Sequence, residues 1–156
     1  MEKTLIVFYS KSGNSKVAVS IIGQYIKCDV CEITMIEEYP RKSEEFVKIV
    51  REHLRNKTGP AINPLKIKLE EYKNLFVVTP NWGNTMAPPL RTFFNTNNIK
   101  DMNVYPIMSH GGNGVGHYVE DLEEVTENCI VSSPYVYEMK NLDETEFVNW
   151  IKQSKK

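Results

Sequence analysis

Apolar residues occur along this chain in short runs, separated by stretches of helical period. Residues 3–9 contain Leu5-Ile6-Val7-Phe8, a continuous run that predicts a strand, and residues 14–26 follow with apolar positions at helical spacing. Residues 30–35 alternate in the manner of a strand, and the polar stretch Glu37-Glu38-Tyr39-Pro40-Arg41-Lys42 predicts a loop. Ser43 is placed to cap a helix carrying Phe46, Val47, Ile49, Val50 and Leu54, which Thr58-Gly59-Pro60 closes. Residues 61–74 are irregular. Leu75-Phe76-Val77-Val78-Thr79 predicts a strand buried on both faces, and Pro88-Pro89 open a helix over 89–96. A strand over 103–108 and a helix to about Thr126 come next. Cys129-Ile130-Val131 and Tyr135-Val136-Tyr137 predict a last, broken strand, and Asp143 caps a terminal helix using Phe147, Val148 and Ile151.

Strand and helix thus alternate five times, which implies a mostly parallel sheet with helices on both faces. In such sheets ligands bind beyond the carboxyl ends of the strands, near the point where strand order reverses. The loops after strands one, three and four are rich in Gly, Asn, Ser or aromatic residues.

The first of these loops is Tyr9-Ser10-Lys11-Ser12-Gly13-Asn14-Ser15. It leads from strand to helix, exposes successive N–H groups and gains the partial positive charge of a helix start, so it suits a phosphate. Gly13 allows close approach or a positive φ. The bland reading is an ordinary helix cap, which needs the same residue types. Neither a Walker A loop nor a Gly-x-Gly-x-x-Gly fingerprint occurs. The second loop offers Trp82 between Asn81 and Gly83, and the third sets four glycines around His110 and Asn113. Lys16 reads as the one plausible full charge near the phosphate turn, the bland alternative being that it faces solvent.

Composition narrows the picture. A chain of 156 residues fits a single domain over 1–156, and 41% hydrophobic with 25% charged residues is ordinary for a globular protein. The net charge of -1 gives no argument for nucleic acid or an anionic membrane. No apolar run spans a bilayer, and Met1 leads straight into the first strand, so a cytoplasmic location is expected. Cys28-Asp29-Val30-Cys31 falls in a strand, where positions three apart point to opposite faces, so redox or metal use is not expected. His53 and His117 are expected on the surface. Glu120, Asp121, Glu123 and Glu124 are expected to form a solvated helix face.

Together a phosphate turn, an aromatic wall and a glycine-rich loop suit a planar heteroaromatic ring with a phosphate tail. In this respect the chain resembles the flavodoxins, in particular short flavodoxin-like proteins with a Tyr-Ser-x-Thr-Gly-Asn-Thr turn. The matching stretches are residues 9–15, then Pro80-Asn81-Trp82-Gly83-Asn84-Thr85-Met86-Ala87-Pro88 with Phe93-Phe94, then Ser109-His110-Gly111-Gly112-Asn113-Gly114. Serines replace both threonines of the turn, the usual second aromatic of the Trp loop is absent, and Asn113 stands where Ser is common.

The resemblance implies an α/β three-layer sandwich with a five-stranded parallel sheet, order 2-1-3-4-5, binding FMN at the switch point. It implies that Ser10, Ser12, Gly13, Asn14 and Ser15 hold the phosphate. It implies that Pro80, Asn81, Trp82, Gly83, Asn84, Thr85, Ser109, His110, Gly111, Gly112, Asn113 and Gly116 border the isoalloxazine. His110 is a candidate for positive charge near a reduced flavin. Gly83 is a candidate for a peptide that reorients toward the reduced flavin N5.

Two function classes follow. One is a one-electron carrier that stabilises the neutral semiquinone and docks redox partner proteins. The other is an FMN-dependent oxidoreductase passing two electrons from NAD(P)H to a quinone, nitro or azo compound. Near-neutral charge is weak for steering a carrier. A chain this short leaves little for a substrate lid unless a homodimer supplies it. The carrier, as monomer or homodimer, is preferred. An esterase would need Gly-x-Ser-x-Gly, a cysteine phosphatase Cys-x5-Arg, and a receiver domain paired acids after the first strand; none is present.

Overall fold

The computed structural model describes residues 2–41 and 43–154. Lys42 of the polar loop, and Met1, Lys155 and Lys156 at the ends of the expected domain, lie outside the described residues. The strands are β1 (Lys3–Phe8), β2 (Asp29–Glu32), β3 (Tyr72–Pro80), β4 (Asn103–His110), β5 (Ile130–Val131) and β6 (Tyr135–Glu138). The helices are α1 (Asn14–Tyr25), α2 (Ser43–Asn56), α3 (Pro88–Thr96), α4 (Tyr118–Val125) and α5 (Glu144–Ser154).

The sheet order is β2-β1-β3-β4-β5, with β6 also paired to β4, and every strand pairing is parallel. This is the expected 2-1-3-4-5 order with its fifth position divided. Two prolines account for the division. Val104 is in register with Val131 and Ile107 with Tyr135, so Pro106 stands opposite the gap that contains Pro134. Neither proline has an N–H to give to the ladder.

Strand alternation splits the core between the two faces of the sheet. Leu5, Val7, Leu75, Val77 and Val104 pack with Leu90, Phe93, Tyr118 and Leu122 of α3 and α4. Ile6, Phe8, Phe76, Val78 and Tyr105 pack with Ala18, Ile21 and Ile22 of α1 and with Phe147 and Ile151 of α5. Cys31 packs against the first cluster and Cys28 against the second, so the two thiols diverge as expected. Burial, and then Asp29, push both thiols up, away from the thiolate that redox chemistry needs.

Several boundaries differ from the sequence pattern. β2 begins one residue early and stops at Glu32, since its register runs only from Leu5↔Asp29 to Phe8↔Glu32. β3 is longer than its apolar run because Tyr72 and Asn74 already pair with β1. Asp143 does cap α5: its Oδ1 accepts the Glu146 N–H at 3.1 Å. Ser43 is the first residue of α2 itself. Among the described residues of α2 only Val50 is buried, so this helix lies at the margin of the core. Among the described residues no helix is long and apolar enough to cross a membrane.

Candidate functional site

The three unusual loops leave β1, β3 and β4 at the same edge of the sheet, because those strands are parallel neighbours. In the first, Gly13 takes φ 91° immediately before α1, and its N–H donates to Ser10 Oγ at 2.9 Å. Asn14 Nδ2 donates to Ser12 Oγ at 2.8 Å, and Ser15 is buried. The Tyr137 hydroxyl of β6 donates to the Asn14 carbonyl at 3.0 Å and ties the turn to the far side of the sheet. The opening N–H groups of α1 have no partner within the helix.

The second and third loops are joined to each other. Asn81 N–H donates to the Ser109 carbonyl at 2.7 Å, and Asn81 Nδ2 to the Gly114 carbonyl at 2.6 Å. His117 N–H donates to the Asn84 carbonyl at 2.8 Å. Asn81 Oδ1 also accepts the Asn84 N–H at 2.8 Å, which holds Gly83 and Asn84 at positive φ. Gly116 belongs to the same contact: a Cβ there would stand 2.1 Å from the Asn84 carbonyl oxygen. Within the third loop, Gly112 N–H donates to His110 Nδ1 at 2.9 Å, which leaves the ring proton of the neutral imidazole on Nε2.

The expected site residues therefore fall into three groups by exposure. Ser12, Gly83, Asn84, Gly111, Gly112, Asn113 and Gly116 are exposed; Ser10, Gly13, Asn14, Pro80, Asn81, Trp82 and His110 are half-buried; Ser15, Thr85 and Ser109 are buried. Gly83 also packs against α2, since a Cβ there would meet Leu54 Cδ1 at 2.4 Å. A Gly83→Ala change would press on α2 as well as altering the peptide.

Several neighbours of the site were not legible in the sequence. Trp82 is enclosed by aromatic rings: Tyr9 at 5.4 Å and Phe46 at 5.3 Å meet it edge to face, and Tyr39 lies at 6.0 Å. Tyr39 and Phe46 come from the segment beyond β2, and no local pattern says where that segment docks. Burial, then Glu38, push the Tyr9 phenol up to about 12. Lys11 Nζ lies 3.5 Å from the Phe46 ring centroid and 5.9 Å from that of Trp82. Lys16 instead faces Glu32 at 3.8 Å.

Asp121 does not lie on a solvated face. It is buried, and its Oδ2 accepts from the Thr85 hydroxyl, from Arg91 at 3.2 Å and from His117 Nδ1 at 2.8 Å. The side chains of Arg91 and Asp121 are only 7% and 8% exposed, so each charge depends on the other. The network joins the second loop, α3, α4 and the end of the third loop. On a helical wheel Asp121 is turned away from Glu120 and Glu123 but lies on the same side as Glu124, so only the buried Arg91 explains why it turns inward.

His53 is half-buried rather than free on the surface, and its Nδ1 lies 3.1 Å from the Tyr39 hydroxyl. Burial holds the imidazole below its ordinary value, with Glu52 opposing, and burial raises Tyr39. The phenol therefore keeps its proton and donates to a neutral imidazole. Because the folded value is depressed, this contribution to stability is present above the unfolded value of about 6.5 and is lost as pH falls through the depressed one. Acidification from pH 7 to 5 is expected to loosen Tyr39 from His53 and change the fluorescence of Trp82. The change, read in a Trp150→Phe background, should disappear in His53→Gln; a transition that persists there would assign it to another group.

The donor set fits a phosphorylated planar ligand. The turn supplies hydroxyls and helix N–H groups, and Cβ atoms built at Gly13, Gly112 and Gly114 would meet no atom within 4 Å, so open space faces these backbones. At this edge of β4 the Ser109 hydroxyl is buried beside that of Tyr137, which adds a polar group to the same end of the sheet.

A family model described as Flavodoxin matches residues 3–154. Among solved structures, a protein from Bacteroides eggerthii DSM 20697 superposes with a TM-score of 0.82 at 20% identity, covering 100% of this chain and 99% of that one. A flavoprotein from Lactobacillus acidophilus NCFM in complex with FMN gives 0.72 at 22% identity, covering 97% and 99%. A flavodoxin from the domain Archaea gives 0.59 at 18% identity, covering 99% of both chains. At these identities the likeness is one of fold. No curated protein matches the chain. The family model, by contrast, runs from the first strand through the last helix, and the chain belongs to the flavodoxin family.

Proposed function

We propose that this protein is a one-electron carrier whose cofactor is FMN. Ser10, Ser12, Gly13, Asn14 and Ser15 hold the phosphate with hydroxyls and helix N–H groups, and the loops around Trp82 and His110 border the ring. Bound FMN supplies the reversible uptake of electrons; the chain supplies binding, orientation and electrostatics. Asn81 fixes the spacing of the two ring-side loops through its bonds to Ser109, Gly114 and Asn84. His110 presents Nε2–H while Gly112 engages its Nδ1. Ser109 Oγ offers a buried hydroxyl beside that of Tyr137.

The observation that carries the carrier reading is the exposure of the loop tips. Gly83 and Asn84 on one side, and Gly111, Gly112 and Asn113 on the other, are solvent-exposed at this edge of the sheet. Such an open edge suits electron passage to a docked redox partner protein better than enclosure of a small substrate. The three free cysteines suit a cytoplasmic location.

An anaerobic reductive titration of the protein with one equivalent of FMN tests this reading. Absorbance is expected to resolve two successive one-electron stages. A single two-electron transition would overturn the carrier reading in favour of the oxidoreductase acting between NAD(P)H and a quinone, nitro or azo compound. Absence of FMN binding would remove both.

A further inference from the structure

We infer that Lys11 is the residue through which this chain distinguishes reduced from oxidised flavin, its ammonium favouring the negative charge that the ring gains on reduction. The inference rests on the FMN reading above and adds a role to a residue that sequence motifs pass over as the variable position of the turn.

The phosphate turn and the start of α1 carry two lysines, and the structure separates them. Lys16 lies in the first turn of α1 beside Glu32, where a carboxylate offsets its charge. Lys11 has no carboxylate partner among the described residues. Its side chain leaves the backbone between Ser10 and Ser12 and reaches the aromatic cluster, with Nζ 3.5 Å from the centroid of Phe46 and 5.9 Å from that of Trp82. An ammonium over an aromatic face is attracted by the ring quadrupole, so Phe46 serves as a perch that keeps the charge on the ring side of the turn. Phe46 in turn meets Trp82 edge to face at 5.3 Å, which places perch, cation and expected flavin wall in one cluster. The opposing charge near this cluster is Glu38, whose influence is felt by Tyr9.

The chemistry follows from charge balance. Oxidised FMN has a neutral ring system. Uptake of two electrons and one proton leaves one negative charge on it, and a fixed cation within several ångströms favours that form. A lysine acting on the phosphate would behave differently, because the phosphate charge is the same before and after reduction. Selectivity between redox states therefore separates a ring-side role from a phosphate-side one.

The test compares wild type, Lys11→Met and Lys11→Arg. Each is titrated with oxidised FMN, and anaerobically with FMN reduced by excess dithionite, following quenching of tryptophan fluorescence. Lys11→Met is expected to hold oxidised FMN within about threefold of wild type while losing roughly tenfold in affinity for reduced FMN, an order of magnitude set by a unit charge partly screened by solvent. A tenfold selective loss corresponds to a fall of about 30 mV in the two-electron midpoint potential. Lys11→Arg should restore the selectivity, riboflavin should show the same selective loss as FMN, and Phe46→Leu should produce a smaller loss of the same sign. Lys11 is exposed, so thermal melting should be unchanged in all lysine variants. Equal losses for both redox states, absent with riboflavin, would overturn the inference and make Lys11 a phosphate clamp. No loss in either state would overturn it in favour of a solvated lysine. If wild type binds neither form, the FMN reading itself fails, which the variants alone would not reveal.

Discussion

Replacing Asp121 with alanine is expected to destabilise the fold by about 3–5 kcal/mol, because it strands a buried guanidinium. Arg91 has 7% of its side chain exposed and Asp121 Oδ2 lies 3.2 Å from its nitrogen. Removing the carboxylate also leaves the Thr85 hydroxyl and His117 Nδ1 without their shared acceptor. Asp121→Asn keeps an acceptor for Thr85 but not the charge, and should be nearly as damaging. The paired replacement Arg91→Met with Asp121→Leu should recover much of the loss, since no unpaired charge then remains in the core. Urea denaturation measures all three. A loss below about 1 kcal/mol in Asp121→Ala would place the pair in solvent, in the range of surface salt bridges, contrary to the structure. Flavin affinity should fall in Asp121→Ala, because Thr85 and His117 anchor the two ring-side loops.

The second large effect is expected at Gly116. It takes φ 57°, and an added Cβ would stand 2.1 Å from the Asn84 oxygen and 2.6 Å from both the Asn84 carbonyl carbon and Cα. These are backbone atoms, held in place by the bond from His117 N–H to the Asn84 carbonyl, so they cannot rotate aside as a side chain would. Gly116→Ala should therefore cost about 2–5 kcal/mol, combining overpacking with the left-handed backbone penalty. It should also separate the second loop from the third and abolish tight flavin binding. Gly112→Ala is the control: its φ is 119°, but no atom lies within 4 Å of the added Cβ. It should pay only the backbone strain. Equal destabilisation of the two variants by urea denaturation would refute the close approach at Asn84.

Phosphate turn and ring-side loops were legible in the sequence because each is a local signal. Ser10–Ser15 reads as a strand-to-helix turn from its own residue types, and Gly13 does take the positive φ that such a turn permits. What was not legible is the company these loops keep. Trp82 reads as an isolated flat wall, yet it lies among Tyr9, Tyr39 and Phe46, two of them from a segment with no local link to the Trp loop. Lys16 was the charge singled out near the turn, yet Glu32, arriving on β2, meets Lys16 and leaves Lys11 to the aromatic cluster.

By itself the sequence determined the alternation of strands and helices, the parallel sheet in the order 2-1-3-4-5 through its resemblance to a family, and the loops that meet at one edge. Apolar period and turn chemistry act between residues a few positions apart, so they survive in a linear string. Tertiary structure decided the rest: that Pro106 stands opposite the gap containing Pro134, where the fifth strand divides, that Asp121 turns inward to Arg91, and that α2 brings Phe46 to Lys11 and Trp82. Each of these depends on elements distant in sequence arriving together, and the burial that makes a charge or a ring contact matter exists only once they have.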